Sequence, residues 1–174
     1  MRNLTRTPAN GESNPAWSPA GTRIAYDRSG CATPYGGGSC VYAMNPDGSA
    51  QANLTPETSV PGCESQPGYA FNGSSREPAW SPDGQLIAFT GPLVCGVGTV
   101  GTDIWVMGAS GGGKTNVTRD HGTEDRMPDF SPDATKLVFV RPGSGLYARG
   151  VAPGGTALRI SSGAFDLHPD WIAG

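Results

Sequence analysis

Apolar residues in this chain come in short runs, and the runs recur in a fixed order. Arg23-Ile24-Ala25-Tyr26, Leu86-Ile87-Ala88-Phe89 and Leu137-Val138-Phe139 form one set. Val41-Tyr42-Ala43-Met44, Ile104-Trp105-Val106-Met107 and Leu146-Tyr147-Ala148 form a second. A third is flanked by polar residues: Asn3-Leu4-Thr5, Asn53-Leu54-Thr55, Asn116-Val117-Thr118 and a weaker Ile160-Ser161. Each member of the first set follows a Pro-x-aromatic segment. These are Pro15-Ala16-Trp17-Ser18-Pro19-Ala20-Gly21, Pro78-Ala79-Trp80-Ser81-Pro82-Asp83-Gly84 and Pro128-Asp129-Phe130-Ser131-Pro132-Asp133. Pro169-Asp170-Trp171 repeats the motif near the C-terminal end. Short apolar runs bounded by turn-forming residues read as strands.

The spacing fixes how these strands connect. Trp17 to Tyr26, Trp80 to Phe89 and Phe130 to Phe139 are each nine residues apart. An unvarying interval across Ser-Pro-Asp-Gly predicts a tight hairpin, because Pro pre-sets φ, Asp bonds its own backbone and Gly accepts positive φ. Each unit then holds four short strands, a to d, and the shortest, Phe130 to Trp171, spans 41 residues. Four strands in a unit of about 40 to 50 residues predict a β-propeller blade. The expected fold is all-β, with blade 1 about 15–55, blade 2 about 78–118, blade 3 about 128–161, and orphan strands at 2–5 and 168–172.

Leu-Thr, Pro-Ala-Trp-Ser-Pro-Asp-Gly, Ile-Ala-Phe and Ile-Trp-Val-Met, in that order, resemble the repeat of TolB-like β-propellers. The resemblance covers nearly the whole chain. Blade 3 departs from it at Phe130, Asp129, Ala134 and Arg149, which read as repeat drift. TolB-like propellers close with six blades, so three imply an open part of a ring, completed by other copies or by further sequence. Unpaired strand edges and apolar blade faces would otherwise stay exposed. The resemblance implies an exported bacterial protein that binds protein partners without catalysis.

Composition narrows the alternatives. The 27 Gly and 16 Pro would suggest disorder without a period, but here they sit at repeat turns. A net charge of −3 without basic runs argues against nucleic acid. No apolar run reaches the roughly 20 residues of a membrane span. Met1 opens no signal peptide, so a cytosolic protein or one trimmed of its leader is expected.

Loop lengths point to one face. Tyr26 to Tyr42 and Phe89 to Trp105 are each 16 residues, against 8 from Phe139 to Tyr147. Thr55 to Trp80 is 25, against 10 from Ser161 to Trp171. The d-to-a and b-to-c loops share one face of a propeller, and variable loops on a rigid scaffold usually bind. All four cysteines fall there, and Cys31–Cys40 and Cys63–Cys95 are the expected bridges. The competing expectation is four free thiols in a reducing compartment.

Glu12, Ser75, Asp125 and Asp166 each stand three residues before the Pro of an a strand, which lines the central channel. Glu12, Asp125 and Asp166 are therefore candidate ligands for a hard cation such as Ca²⁺. The competing reading is that they cap the backbone of their own loops. Arg76, Glu77, His121, Glu124, Arg126 and His168 lie in the same region and are candidate binding residues. Trp17, Trp80, Phe130 and Trp171 occupy one repeat position and are expected to pack between blades; an exposed sugar-stacking platform is the alternative.

Two motif matches mislead. Gly108 to Thr115 satisfies the phosphate-binding GxxxxGK[ST] pattern, and Gly108-Ala109-Ser110-Gly111-Gly112 the GxSxG nucleophile elbow. Both need a following helix, yet Asn116-Val117-Thr118 is a d strand. Asn3, Asn53 and Asn116 fit glycosylation sequons only because they belong to that strand; Asn72 heads a fourth. TolB-like propellers also resemble the gating domain of prolyl-oligopeptidase-type enzymes, but no hydrolase domain accompanies these repeats. A non-catalytic scaffold is the expected function. The alternatives are a binder of small ligands, sugars or metal ions, and a propeller lyase or hydrolase using His121, His168 and nearby carboxylates.

Overall fold

The structure, a computed structural model, describes residues 3–33, 36–56, 75–92, 101–119, 123–163 and 169–171. The strands are β1 Glu12–Trp17, β2 Ile24–Thr33, β3 Gly36–Met44, β4 Ala52–Asn53, β5 Arg76–Trp80, β6 Leu86–Pro92, β7 Thr102–Gly108, β8 Thr115–Asn116, β9 Arg126–Phe130, β10 Lys136–Arg141, β11 Gly145–Gly150 and β12 Leu158–Arg159. They form three four-stranded antiparallel meanders, β1–β4, β5–β8 and β9–β12. Each is one propeller blade.

The repeated polar residues build the hairpins as their chemistry requires. Asp83 Oδ1 accepts from Ser81 Oγ at 2.6 Å and from Gln85 N at 3.0 Å, while Leu86 N donates to Ser81 Oγ at 2.9 Å. Asp133 and Ser131 repeat this in blade 3. Blade 1 has Ala20 in place of the Asp and keeps only the bond from Arg23 N to Ser18 Oγ. The Thr of Leu-Thr has its own task. Thr55, Thr118 and Ser161 accept through their hydroxyls from Val41 N, Ile104 N and Leu146 N at 2.9, 3.0 and 2.9 Å. Each so extends a two-residue d strand by a bond that its backbone does not supply.

The core lies between blades. Ala25, Val41, Ala43 and Leu54 of the first blade pack with Trp80, Ile87, Phe89 and Met107 of the second. Ala88, Ile104, Val106 and Val117 of the second pack in the same way with Phe130, Leu137 and Phe139 of the third. The trailing faces are thus mostly small and β-branched residues, and the leading faces mostly larger ones. Close approach at the first junction selects glycine at Gly111, where φ is 91° and a Cβ would meet Leu54 O at 2.8 Å; Gly48, at φ 87°, lies equally close to the N-terminal segment, with Leu4 O at 2.5 Å.

Three expectations need correction. Residues 31–40 do not form an open loop in the first blade: the β2–β3 ladder runs on to Thr33↔Gly36 through a bulge between Ser29 and Cys31. Gly30, at φ 80°, supplies the positive φ that this bulge requires. Among the described residues, neither 3–5 nor 169–171 pairs as a strand. Asn3 Oδ1 instead accepts from Thr5 N and Arg6 N, closing a local turn. Finally, Asp129 is not idle drift, since its Oδ2 accepts from Trp171 N at 2.8 Å. Burial raises the Asp129 pKa above the usual carboxylate value.

The Gly108–Thr115 segment is a strand-to-strand turn, closed by Gly108 N to Gly112 O and Gly111 N to Gly108 O, each 2.8 Å. Lys114 Nζ donates to Gly111 O at 2.6 Å within this turn, and burial lowers its pKa. Neither motif match has the helix its chemistry needs.

Candidate functional site

The channel-side carboxylates are held within their own blades. Asp125, fully buried, receives Arg141 Nε at 2.8 Å and Nη2 at 3.1 Å, a two-point clasp. Glu12 receives Arg28 Nε at 3.2 Å and also bonds Thr7 Oγ1. Each arginine lies over a c-strand ring, Arg28 over Tyr42 and Arg141 over Tyr147, both at 4.4 Å. Arg28 Nη2 further donates to Tyr26 Oη at 2.9 Å, and burial raises the Tyr26 pKa. The capping reading expected backbone N–H groups of their own loops as partners; Glu12 and Asp125 instead take guanidinium groups from the b strands.

Blade 2 exchanges all three members of this unit. Its carboxylate position is Ser75, its arginine position Gly91 and its tyrosine position Trp105. A Cβ on Gly91 would lie 2.6 Å from Trp105 Cδ1, so the indole occupies the room that an arginine stem needs. Trp105 Nε1 donates instead to Pro92 O at 3.0 Å. Among the described residues no group of three His, Cys, Asp or Glu is placed to hold a metal ion.

Toward the axis, the residue before each Pro turns into the left-handed region, with φ of 50° at Asn14, 56° at Glu77 and 52° at Met127. Each coincides with a break in strand register. Acids of the preceding blade hold the bent backbones: Glu77 N donates to Asp27 Oδ1 at 3.1 Å and Met127 N to Glu77 Oε2 at 2.9 Å. These residues, their prolines and Pro169 surround a cavity of about 170 Å³. Glu77 is thus a link between blades. Arg126 pairs with Glu124 at 2.8 Å in the open, and Arg76 is exposed on β5. Cys63, Cys95, His121, Asp166 and His168 lie outside the described residues. The Cys31–Cys40 bridge is present and joins β2 to β3.

The aromatic position separates interior from end. Trp80 is 8 % exposed and Phe130 3 %, each seated on the preceding blade, and Trp80 Nε1 donates to Ala16 O at 3.2 Å. Trp17, which has no preceding blade against it, is 59 % exposed. The opposite end mirrors this. Ile160 is 56 % exposed, whereas its counterparts Leu54 and Val117 are 4 % and 1 %. Val138, Leu146 and Ile160, which match Ala25, Val41 and Leu54, line a cavity of about 310 Å³ with Pro169, Asp170 and Trp171. Sequence reasoning placed these side chains between blades and expected apolar blade faces left open at the two ends.

No protein-family model matches the chain, and no curated protein matches it. Solved structures do. TolB from Acinetobacter baumannii superposes with a TM-score of 0.57 at 22 % identity over 86 % of this chain and 32 % of its own. A putative TolB from Agrobacterium tumefaciens gives 0.61 at 21 % identity over 90 % and 51 %. The β-propeller domain of the Trilobed protease from Pyrococcus furiosus, which has an open velcro topology, gives 0.54 at 15 % identity over 86 % and 43 %. The chain spans between about a third and a half of the length of these structures. Together with the three meanders, these matches give the chain a TolB-like β-propeller fold.

Proposed function

We propose that the protein is an exported, non-catalytic β-propeller scaffold that binds other proteins. The carrying observation is that Glu12 and Asp125 are engaged by Arg28 and Arg141, which leaves them poorly suited to acid–base work. One further observation supports the reading: the Cys31–Cys40 bridge is compatible with an oxidising compartment.

Some similar structures come from proteases, and likeness at 15 % identity extends to the fold alone. The test is turnover of chromogenic peptide, ester and glycoside substrates. No turnover above the uncatalysed background is expected. Turnover that disappears in an Asp125→Asn protein of unchanged fold would overturn the reading.

A further inference from the structure

The third blade departs from the other two at one position of its a strand. There the first two blades pair alanine with alanine, Ala16 opposite Ala25 and Ala79 opposite Ala88. In the third blade Asp129 stands opposite Val138. Residues directly opposite in an antiparallel pair project to the same side of the sheet, so a carboxylate sits on a surface that is otherwise apolar. Burial raises the Asp129 pKa, and the charge of Asp170 nearby raises it further. The adjoining cavity has Val138 buried at its base, accessible apolar walls of Leu146, Ile160, Pro169 and Trp171, and Asp170 exposed at its edge. Trp171 N donates to Asp129 Oδ2 at 2.8 Å, which ties one wall to the second carboxylate. Among the described residues that line the cavity none is basic. Arg159, next to Ile160, pairs with Tyr147 and donates its Nε to Ser161 O at 2.8 Å. At about 310 Å³ the cavity lies at the small end of ligand sites, which run on the order of 300–1,000 Å³ and combine apolar linings with a few fixed polar groups.

We infer that this cavity binds a small organic cation, a protonated primary amine carried on an aromatic or branched apolar body. The body rests on Leu146, Ile160 and Trp171, all of them accessible, and the ammonium lies toward Asp170. Asp129, one hydrogen bond from Trp171, adds a second negative charge. Trp171 serves in two ways, since an indole buries apolar surface and also attracts a cation over its face. A neutral ligand of the same shape gains the apolar contact alone, and an anion is repelled by both carboxylates. The site goes beyond the scaffold reading and does not depend on it.

Calorimetry and ligand-observed NMR on the full chain test this with phenethylammonium, and with phenethyl alcohol and hydrocinnamate as its neutral and anionic counterparts. The amine should bind about tenfold more tightly than the alcohol, equivalent to ~1.4 kcal/mol, and hydrocinnamate should not bind at millimolar concentration. Asp170→Asn should weaken the amine about tenfold and leave the alcohol unchanged, because only the charged hydrogen bond is lost. Asp129→Asn keeps an acceptor for Trp171 N and removes the charge, so it should weaken the amine by a smaller factor. Ile160→Ala should weaken amine and alcohol alike. All three positions are at least partly exposed, and unchanged circular dichroism and melting show that the variants fold. An amine that gives no signal at millimolar concentration, or that binds no better than the alcohol or hydrocinnamate, would overturn the inference. Amine affinity unchanged in both asparagine variants would overturn it too, because the ligand would then lie elsewhere on the chain.

Discussion

Trp17 and Trp80 are the same residue at the same place in the repeat, and they have opposite environments. Trp80 is enclosed by two blades and bonds Ala16 O, while Trp17 faces outward. The middle blade packs against a full blade on each face; the first and third pack against one each, with Leu4 and Trp171 over part of the remaining faces. A propeller blade is a sheet that cannot bury both its faces alone, so stability is shared between neighbours in a nearly one-dimensional way. The same side chain is a structural wedge in one blade and a solvent-exposed group in the other.

The sharpest way to break this comparison is to remove both indoles in turn. Trp80→Ala should cost about 3–5 kcal/mol of unfolding free energy, from lost burial and the cavity left behind. Trp17→Ala should stay within about 0.5 kcal/mol. Urea titrations of the two variants decide it, and equal midpoint shifts would contradict the assignment of interior and end.

The clasp at Asp125 provides the next test. Arg141→Ala strips a fully buried carboxylate of its guanidinium and should cost about 3 kcal/mol. Arg28→Ala acts on Glu12, which is more open, and should cost about 1 kcal/mol. Thermal melts at neutral pH compare the two, and the order of the losses is the prediction.

A smaller effect distinguishes the turns. Ala134 holds φ of 57° where blades 1 and 2 carry Gly21 and Gly84. Ala134→Gly removes left-handed strain of about 1–2 kcal/mol and adds unfolded-chain entropy, for a net gain of about 0.5–1 kcal/mol. The urea midpoint should rise with an unchanged slope; a lower midpoint would refute the strain.

The smallest effect is on pH dependence. Bonds from Ser131 Oγ and from Thr135 N and its hydroxyl lower the Asp133 pKa to about 2. A carboxyl depressed in the folded state adds stability above its unfolded value of about 4, and that contribution fades as pH falls through about 2. Asp133→Asn should therefore flatten the acid limb of the stability curve between those values. Blade 1, with Ala20 at this position, has no such contribution to lose.

Much of this architecture was legible in the residues. The nine-residue aromatic interval gave the hairpin, and the Asn-Leu-Thr recurrence located the outer strands. The axial backbone was not legible. A residue before Pro normally adopts extended φ and ψ, so nothing marked Asn14, Glu77 and Met127 for the left-handed region. At Glu77 and Met127 the bent backbone donates to an acid on the neighbouring blade, 50 residues away in sequence, while Asn14 adopts the same φ with its side-chain amide bonded to Asp27 of its own blade. The clasps did leave a signal. Carboxylate and arginine stand 16 residues apart at Glu12/Arg28 and Asp125/Arg141, and both members change together to Ser75/Gly91. Reading Glu12 and Asp125 as channel ligands missed this, because the position was compared across repeats without its partner.

Amide hydrogen exchange on the wild-type protein tests the central claim, that packing between blades makes the middle blade the structural centre. Exchange should be slowest in Ile87–Phe89 and Ile104–Met107, which are buried on both sides, and faster at Leu158–Ser161, where Leu158 and Ile160 are exposed. Exchange as slow at Leu158–Ser161 as in the middle blade would contradict the account.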